Sequence, residues 1–385
     1  MTDTLRVPVQ KEIWYWAVEE SQKSLEEIST KFPQIQKWIS GEIDPTFKQL
    51  ERFADYLRIP FGYLFLESPP SADAMEVEFR SINNKLPAMS KNLKDIIMEM
   101  DFRKNWMSDY RKELGWEKLE IIVQFNKHKS GDIALDAALA KQLLDLEDDW
   151  STCTSDYHEA FKLLREKLEK AGILVMQNGI VGMNTHRKLD INEFRAFMLY
   201  DDVSPLIFIN SNDSQGGRIF SLIHEYFHVL FERDNLFLNE DLDATKENEK
   251  QVNQLTAEFL MPSEQVHRVW RKNADPVQQI KELSKAFKVS EAALAIKLRD
   301  LNCINDTIVK LVIDESTKNF ENRKNRENGG NFYHTFFAKI SPTFAAAVIR
   351  EAEQGGISYT YAFRLLGGIK GKSYDKLKER LMPYG

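Results

Sequence analysis

Apolar residues recur at helical spacing along most of this chain, and they gather into short continuous runs in one stretch only. From residue 8 to 66 the pattern predicts helices over 13–21, 24–32, 33–39 and 47–57, with a further turn over 59–66. Ser24 and Glu27 make an S-x-x-E capping box at the start of the second helix. Phe47, Leu50, Phe53, Ala54 and Leu57 share one face of the fourth. The Glu67-Ser-Pro-Pro-Ser71 run reads as a stop and linker. Leu93, Ile96, Ile97, Met100, Phe102, Trp106 and Tyr110 form the stripe of a helix over 89–114, and Leu135, Ala138, Leu139, Leu143 and Leu144 that of one over 132–150. An amphipathic helix over 157–172 leads into three short strands, 173–176, 194–200 and 206–209. Residues 218–232 are apolar nearly all round, the pattern of a buried helix. Helices follow over 247–260, 277–287 and 291–301. A polar linker over 315–330 precedes a small helical tail, 331–385, in which a short helix over 357–367 ends at Gly367. The expected fold is mainly α with a small β-sheet (α+β), divided at 1–72, 73–152, 153–310 and 311–385.

Composition narrows the class. The chain has 385 residues, 43% hydrophobic, enough for two or three cores. A net charge of −7 gives no global argument for nucleic-acid binding. Residues 1–70 carry eight basic and eleven acidic side chains, net −3, and neutralise phosphates poorly. Cys153 and Cys303 are the only cysteines; so few fit a reducing cytoplasm rather than a disulfide framework. The start, MTDTLRVPVQKE, has no apolar core of a signal peptide, and no run is long enough to span a membrane.

The buried-helix pattern contains the chemistry. His224-Glu225-Tyr226-Phe227-His228 is an H-E-x-x-H sequence. Residues four apart on a helix lie one turn above each other, so both imidazoles point at one place. That is the arrangement of two zinc ligands with Glu225 beside them to take a proton from bound water. The helix over 247–260 offers two carboxylates for a third ligand, Glu249 and Glu258. They are nine residues apart and face different sides, so one alone can readily reach the metal. Glu249 is preferred: Asn253, one turn on, can support a ligand histidine from behind. Glu258 is the runner-up. His128, His158, His186, His267 and His334 lack ligand spacing, although His186 and His267 could reach a cleft.

Several stretches together resemble the ImmA/IrrE family of bacterial zinc metallo-endopeptidases. They are Phe194–Asn210 (FRAFMLYDDVSPLIFIN), Phe220–His228 (FSLIHEYFH) and Glu249–Pro262. The last follows the family's E-x-x-A-N-x-F-A-A-E-L-L-M-P helix, with Val252, Leu255, Thr256 and Phe259 as packing changes. Phe287-Lys-Val-Ser290 matches a pattern found downstream in members. Residues 24–60 resemble an Xre/Cro-type helix-turn-helix, but the segment 31–38 is short and offers only Lys31, Gln34, Gln36 and Lys37 as DNA contacts. The resemblance implies a zincin-like core, one catalytic zinc, and an edge strand, 194–200 or 206–209, that holds an extended substrate. It implies a protein substrate such as a repressor or antitoxin-like factor. The alternative is an Xre-type regulator or antitoxin that binds DNA and a partner toxin, with the peptidase fold as scaffold.

Overall fold

The computed structural model describes residues 6–21, 23–57, 59, 61–69, 90–232, 242–324 and 339–381. The chain divides into two compact units, Met1–Lys94 and Asp95–Gly385. Both are helical, and the second holds one small mixed sheet, so the fold is α+β.

The first unit holds α1 (Lys11–Glu20), α2 (Leu25–Lys31), α3 (Ile35–Ile39) and α4 (Phe47–Leu57), then a 3-10 turn at Phe61–Phe65. The capping box forms: Ser24 Oγ accepts from the Glu27 N–H and Glu27 Oε2 accepts from the Ser24 N–H, each at 3.2 Å. Trp14 anchors the core, with Trp38 stacked at 5.8 Å and Phe53 edge-on at 5.0 Å. Such aromatic pairs stabilise beyond the area they bury. Phe47 departs from the expected face. It is 45% exposed and meets Phe61 at 4.9 Å instead. As the first residue of α4 it lies just outside the seam that Leu50, Phe53, Ala54 and Leu57 bury.

The boundary falls in the first turn of α5 (Lys91–Glu113), and the second unit continues with α6 (Glu120–His128), α7 (Ile133–Leu143) and α8 (Tyr157–Lys170). Then come β1 (Leu174–Asn178), β2 (Ala196–Leu199) and β3 (Leu206–Asn210), followed by α9 (Gln215–Leu230) and α10 (Leu242–Leu260). The remaining helices are α11 (Ser263–Val269), α12 (Pro276–Phe287), α13 (Glu291–Asp300), α14 (Asp306–Lys324), α15 (Pro342–Glu353), α16 (Tyr359–Leu365) and α17 (Lys372–Leu381). Three differences from the sequence pattern stand out. The helix expected over 132–150 stops at Leu143, and the chain turns at Asp145 with φ 50°. Residues 315–324, expected as linker, continue α14; residues 325–330 lie outside the described residues. The buried seam of α5 also changes course after Met100: Arg103, Met107 and Arg111 are buried, while Phe102, Trp106 and Tyr110 are half-buried.

An arginine can occupy such a seam when carbonyls receive it. Arg111 Nη1 donates to the Gly172 and Val203 carbonyls at 2.6 and 2.7 Å.

The sheet order is β1-β3-β2, with β1 parallel and β2 antiparallel to the central β3. Successive side chains alternate between faces. Val175, Met198, Ile207 and Ile209 enter the main core with α8 and α9. On the other face Phe197 stacks on Phe208 at 5.0 Å, and Met176 meets Arg103. Burial on both faces is why the strands read as continuous apolar runs rather than as an alternation.

Candidate metal centre

The central helix, α9, starts at Ser214, whose Oγ accepts from the Gly217 N–H at 3.1 Å. Gly216 lets its first turn lie against the turn before α13: a Cβ there would sit 2.6 Å from the Ser290 nitrogen. From this anchor α9 packs against β2 and β3 on one side and α10 on another. Its side chains are buried almost throughout, as the sequence pattern predicts.

Within that apolar surface three polar donors converge. His224 Nε2 and His228 Nε2 lie 3.1 Å apart. Glu249, from α10, brings Oε2 to 3.4 Å from His224 Nε2 and Oε1 to 3.3 Å from His228 Nε2. Among the described residues this is the one group of three such side chains close enough to hold a metal. Two nitrogen or oxygen donors, each about 2.0–2.1 Å from a tetrahedral zinc, are separated by about 3.3–3.4 Å. The triangle of donor atoms matches that spacing, and two imidazoles with a carboxylate are a donor set zinc accepts.

Glu225 is 5% exposed, and its Oε2 is buried with no hydrogen-bond partner among the described residues. Burial pushes its carboxyl up to about 7; His224 opposes this, and the Glu249 charge adds a lesser upward push. Such a carboxyl sits where it can exchange a proton near neutral pH. Burial works to lower the His224 imidazole, but Glu249, Glu225 and the Asn253 side chain outweigh it, and the net direction is up. Contact with His224, helped by the His228 charge, draws Glu249 down despite its desolvation. Asn253 lies one turn from Glu249, and its side chain adds a lesser upward pull on the His224 imidazole.

Glu258 is turned away from this triangle. Burial opposes its charge, but Lys297 and Ser263 overcome that and hold the carboxyl below its ordinary range. Lys297 Nζ donates to Oε2, and Ser263 donates through N–H at 2.8 Å and Oγ at 2.6 Å. His128, His158, His186 and His267 are exposed and stand apart from the cluster, and His334 lies outside the described residues. In the first unit Lys31, Gln34, Gln36 and Lys37 are all exposed, around an α3 of only five residues.

Two features beside the triangle are not carried by any motif. Phe220, one turn before His224, lies with its ring 6.4 Å from that imidazole and inclined to it by 28°. The second is the sheet edge. Of the two strands expected to receive a peptide, 206–209 is paired on both sides, whereas β2 has no strand on its outer side among the described residues. The Arg195 carbonyl accepts from the Asn210 N–H. In an antiparallel ladder the pairing alternates, so Ala196 and Met198 turn their backbone N–H and C=O groups outward.

Residues 168–299 match a family model described as the IrrE N-terminal-like domain (Peptidase_M78), a range that runs from β1 to α13 and includes His224, Glu225, His228 and Glu249. This ties the segment to a family of metallopeptidases and supports the ImmA/IrrE relationship. A second model, described as a domain of unknown function (DUF8813), matches residues 340–380, the tail helices α15 to α17. No curated protein and no solved structure matches the chain. No helix among the described residues is long and apolar enough to cross a membrane.

Proposed function

We propose that the chain is a zinc-dependent endopeptidase whose ligands are His224, His228 and Glu249 and whose general base is Glu225. The observation that carries this is the triangle of donor atoms, 3.1 to 3.4 Å on a side, inside a segment matched by a peptidase family. A zinc ion held there would lower the pKa of a bound water and polarise the substrate carbonyl. Glu225 takes the proton of the attacking water and hands it to the leaving amine. Its burial among apolar side chains keeps the carboxyl basic enough for both transfers. Asn253 fixes the His224 ring so that Nε2 faces the metal. The substrate strand pairs at the outer edge of β2 with the backbone of Ala196, the one residue of that strand that is not buried.

A regulatory protein fits as substrate, with the first unit recognising it or its complex. DNA contact through Lys31, Gln34, Gln36 and Lys37 is the lesser possibility, because the surrounding residues 1–70 are net acidic.

The test is metal analysis together with cleavage of a peptide library. Purified wild type should hold about one zinc per chain and cleave. Glu225→Gln should keep the metal and lose roughly 10²–10⁴-fold in rate. Glu249→Gln should lose most of the metal. A wild-type chain that neither retains nor takes up zinc would defeat the proposal.

A further inference from the structure

A second site lies on the sheet face opposite α9. A pocket opens there between α5, the end of β1 and the tail helices, lined by Glu99, Arg103, Gln177, Lys339, Ile340 and Gly367 among others. Its cavity of about 30 Å³ has room for roughly two water-sized groups. That suits a small polar headgroup.

Its charges do not balance. Arg103 is 7% exposed. A guanidinium carries five N–H donors in a planar fork. Among the described residues its acceptors are the Glu99 carboxylate and, at 3.6 Å, the Met176 sulfur. A thioether is a weak acceptor, so most of the fork's capacity is left over. Desolvation lowers the Arg103 pKa against the pull of Glu99. Lys339 lines the same pocket and is half-buried, with no hydrogen bond or ion pair among the described residues, and burial lowers it too. Two desolvated cations thus share one carboxylate, and the pocket keeps one positive charge in excess. Gly367, at φ +77°, brings the tail backbone so near that a Cβ there would lie 3.1 Å from Arg103 Nη2.

We infer that this pocket binds a small oxyanion, a carboxylate or phosphoryl group, between Arg103 and Lys339. A ligand bridging these residues joins α5 of the core to the start of the tail. It is an effector site, separated by the sheet from the histidine pair, and it stands whether or not the chain is a peptidase.

The test uses the full chain with EDTA present, so that no metal-bound anion contributes. Thermal unfolding is followed in millimolar inorganic phosphate, in acetate, and in chloride at equal ionic strength. Phosphate, acetate or both should raise the midpoint above chloride in a saturable way; which of them does so identifies a phosphoryl or a carboxylate ligand. Lys339→Gln should be at least as stable as wild type without anion, since it removes a half-buried unpaired charge. It should also bind the effective anion about tenfold more weakly. Arg103→Gln should abolish the shift if it folds. No shift above chloride in wild type, or an undiminished shift in Lys339→Gln, would overturn the site.

Discussion

The two carboxylates of α10 should fail in different ways, and Glu258 is the more informative. Its side chain is 11% exposed and that of its partner Lys297 is 10% exposed. Glu258→Gln keeps the shape and can still accept from Ser263, but it leaves the Lys297 ammonium buried without a counter-charge. Removing one member of a buried pair costs about 3–5 kcal/mol. In a unit as large as Asp95–Gly385, each kcal/mol moves the thermal midpoint by roughly 2 °C, so the fall should be about 6–10 °C. Urea unfolding of wild type, Glu258→Gln, Lys297→Met and the double variant completes the cycle. The double variant should regain much of the loss, because it removes the orphaned charge along with its partner. Bound zinc should be the same in all four. If Glu258→Gln lost its metal while its stability changed by less than about 0.5 kcal/mol, the assignment of roles on α10 would be reversed.

The same pair predicts a pH signature. Glu258 titrates below its ordinary value of 4.5 in the folded chain, so its contribution is present above that value and disappears as pH falls through the folded pKa. The stability gap between wild type and Glu258→Gln, read from urea midpoints, should therefore be full near neutral pH and close in acid; a gap constant down to the acid transition would contradict the ion pair. The edge strand gives a kinetic prediction. Ala196→Pro removes an outward N–H while leaving the β3 ladder intact, and should lower kcat/KM on peptides by roughly 2- to 13-fold, one hydrogen bond's worth, with zinc content unchanged. Unaltered kinetics would place the substrate elsewhere.

What the sequence revealed and what it concealed follow from one distinction. Periodicity reports which side chains are apolar, and where burial is apolar it reads the fold well. The all-apolar surround of α9, the three runs that became β1 to β3 and the capping box at Ser24 are of this kind. The helical arithmetic that turned Glu249 and Glu258 to different sides of α10 was equally legible, since nine residues at about 100° each end half a turn apart. Asn253, one turn on from Glu249, favoured that residue over Glu258; the ion pair that holds Glu258 to Lys297 was not legible, because it depends on how α10 lies against α13, a tertiary fact. The clearest failure is α5. Its stripe was followed through Phe102, Trp106 and Tyr110, whereas the chain buries Arg103 and Arg111. An arginine in a seam is invisible to an apolar count; it becomes stable only when distant carbonyls such as Gly172 and Val203, or a carboxylate such as Glu99, come to meet it. Arg111 finds two carbonyls for Nη1 and the Trp116 ring for its face, while its Nε and Nη2 are buried without a hydrogen-bond partner among the described residues. Arg103 finds one carboxylate and a sulfur, and it is at this incompletely satisfied position that the sheet, α5 and the tail enclose a pocket. The part of the chain hardest to read from its pattern is thus the part where the structure still has binding capacity to spare.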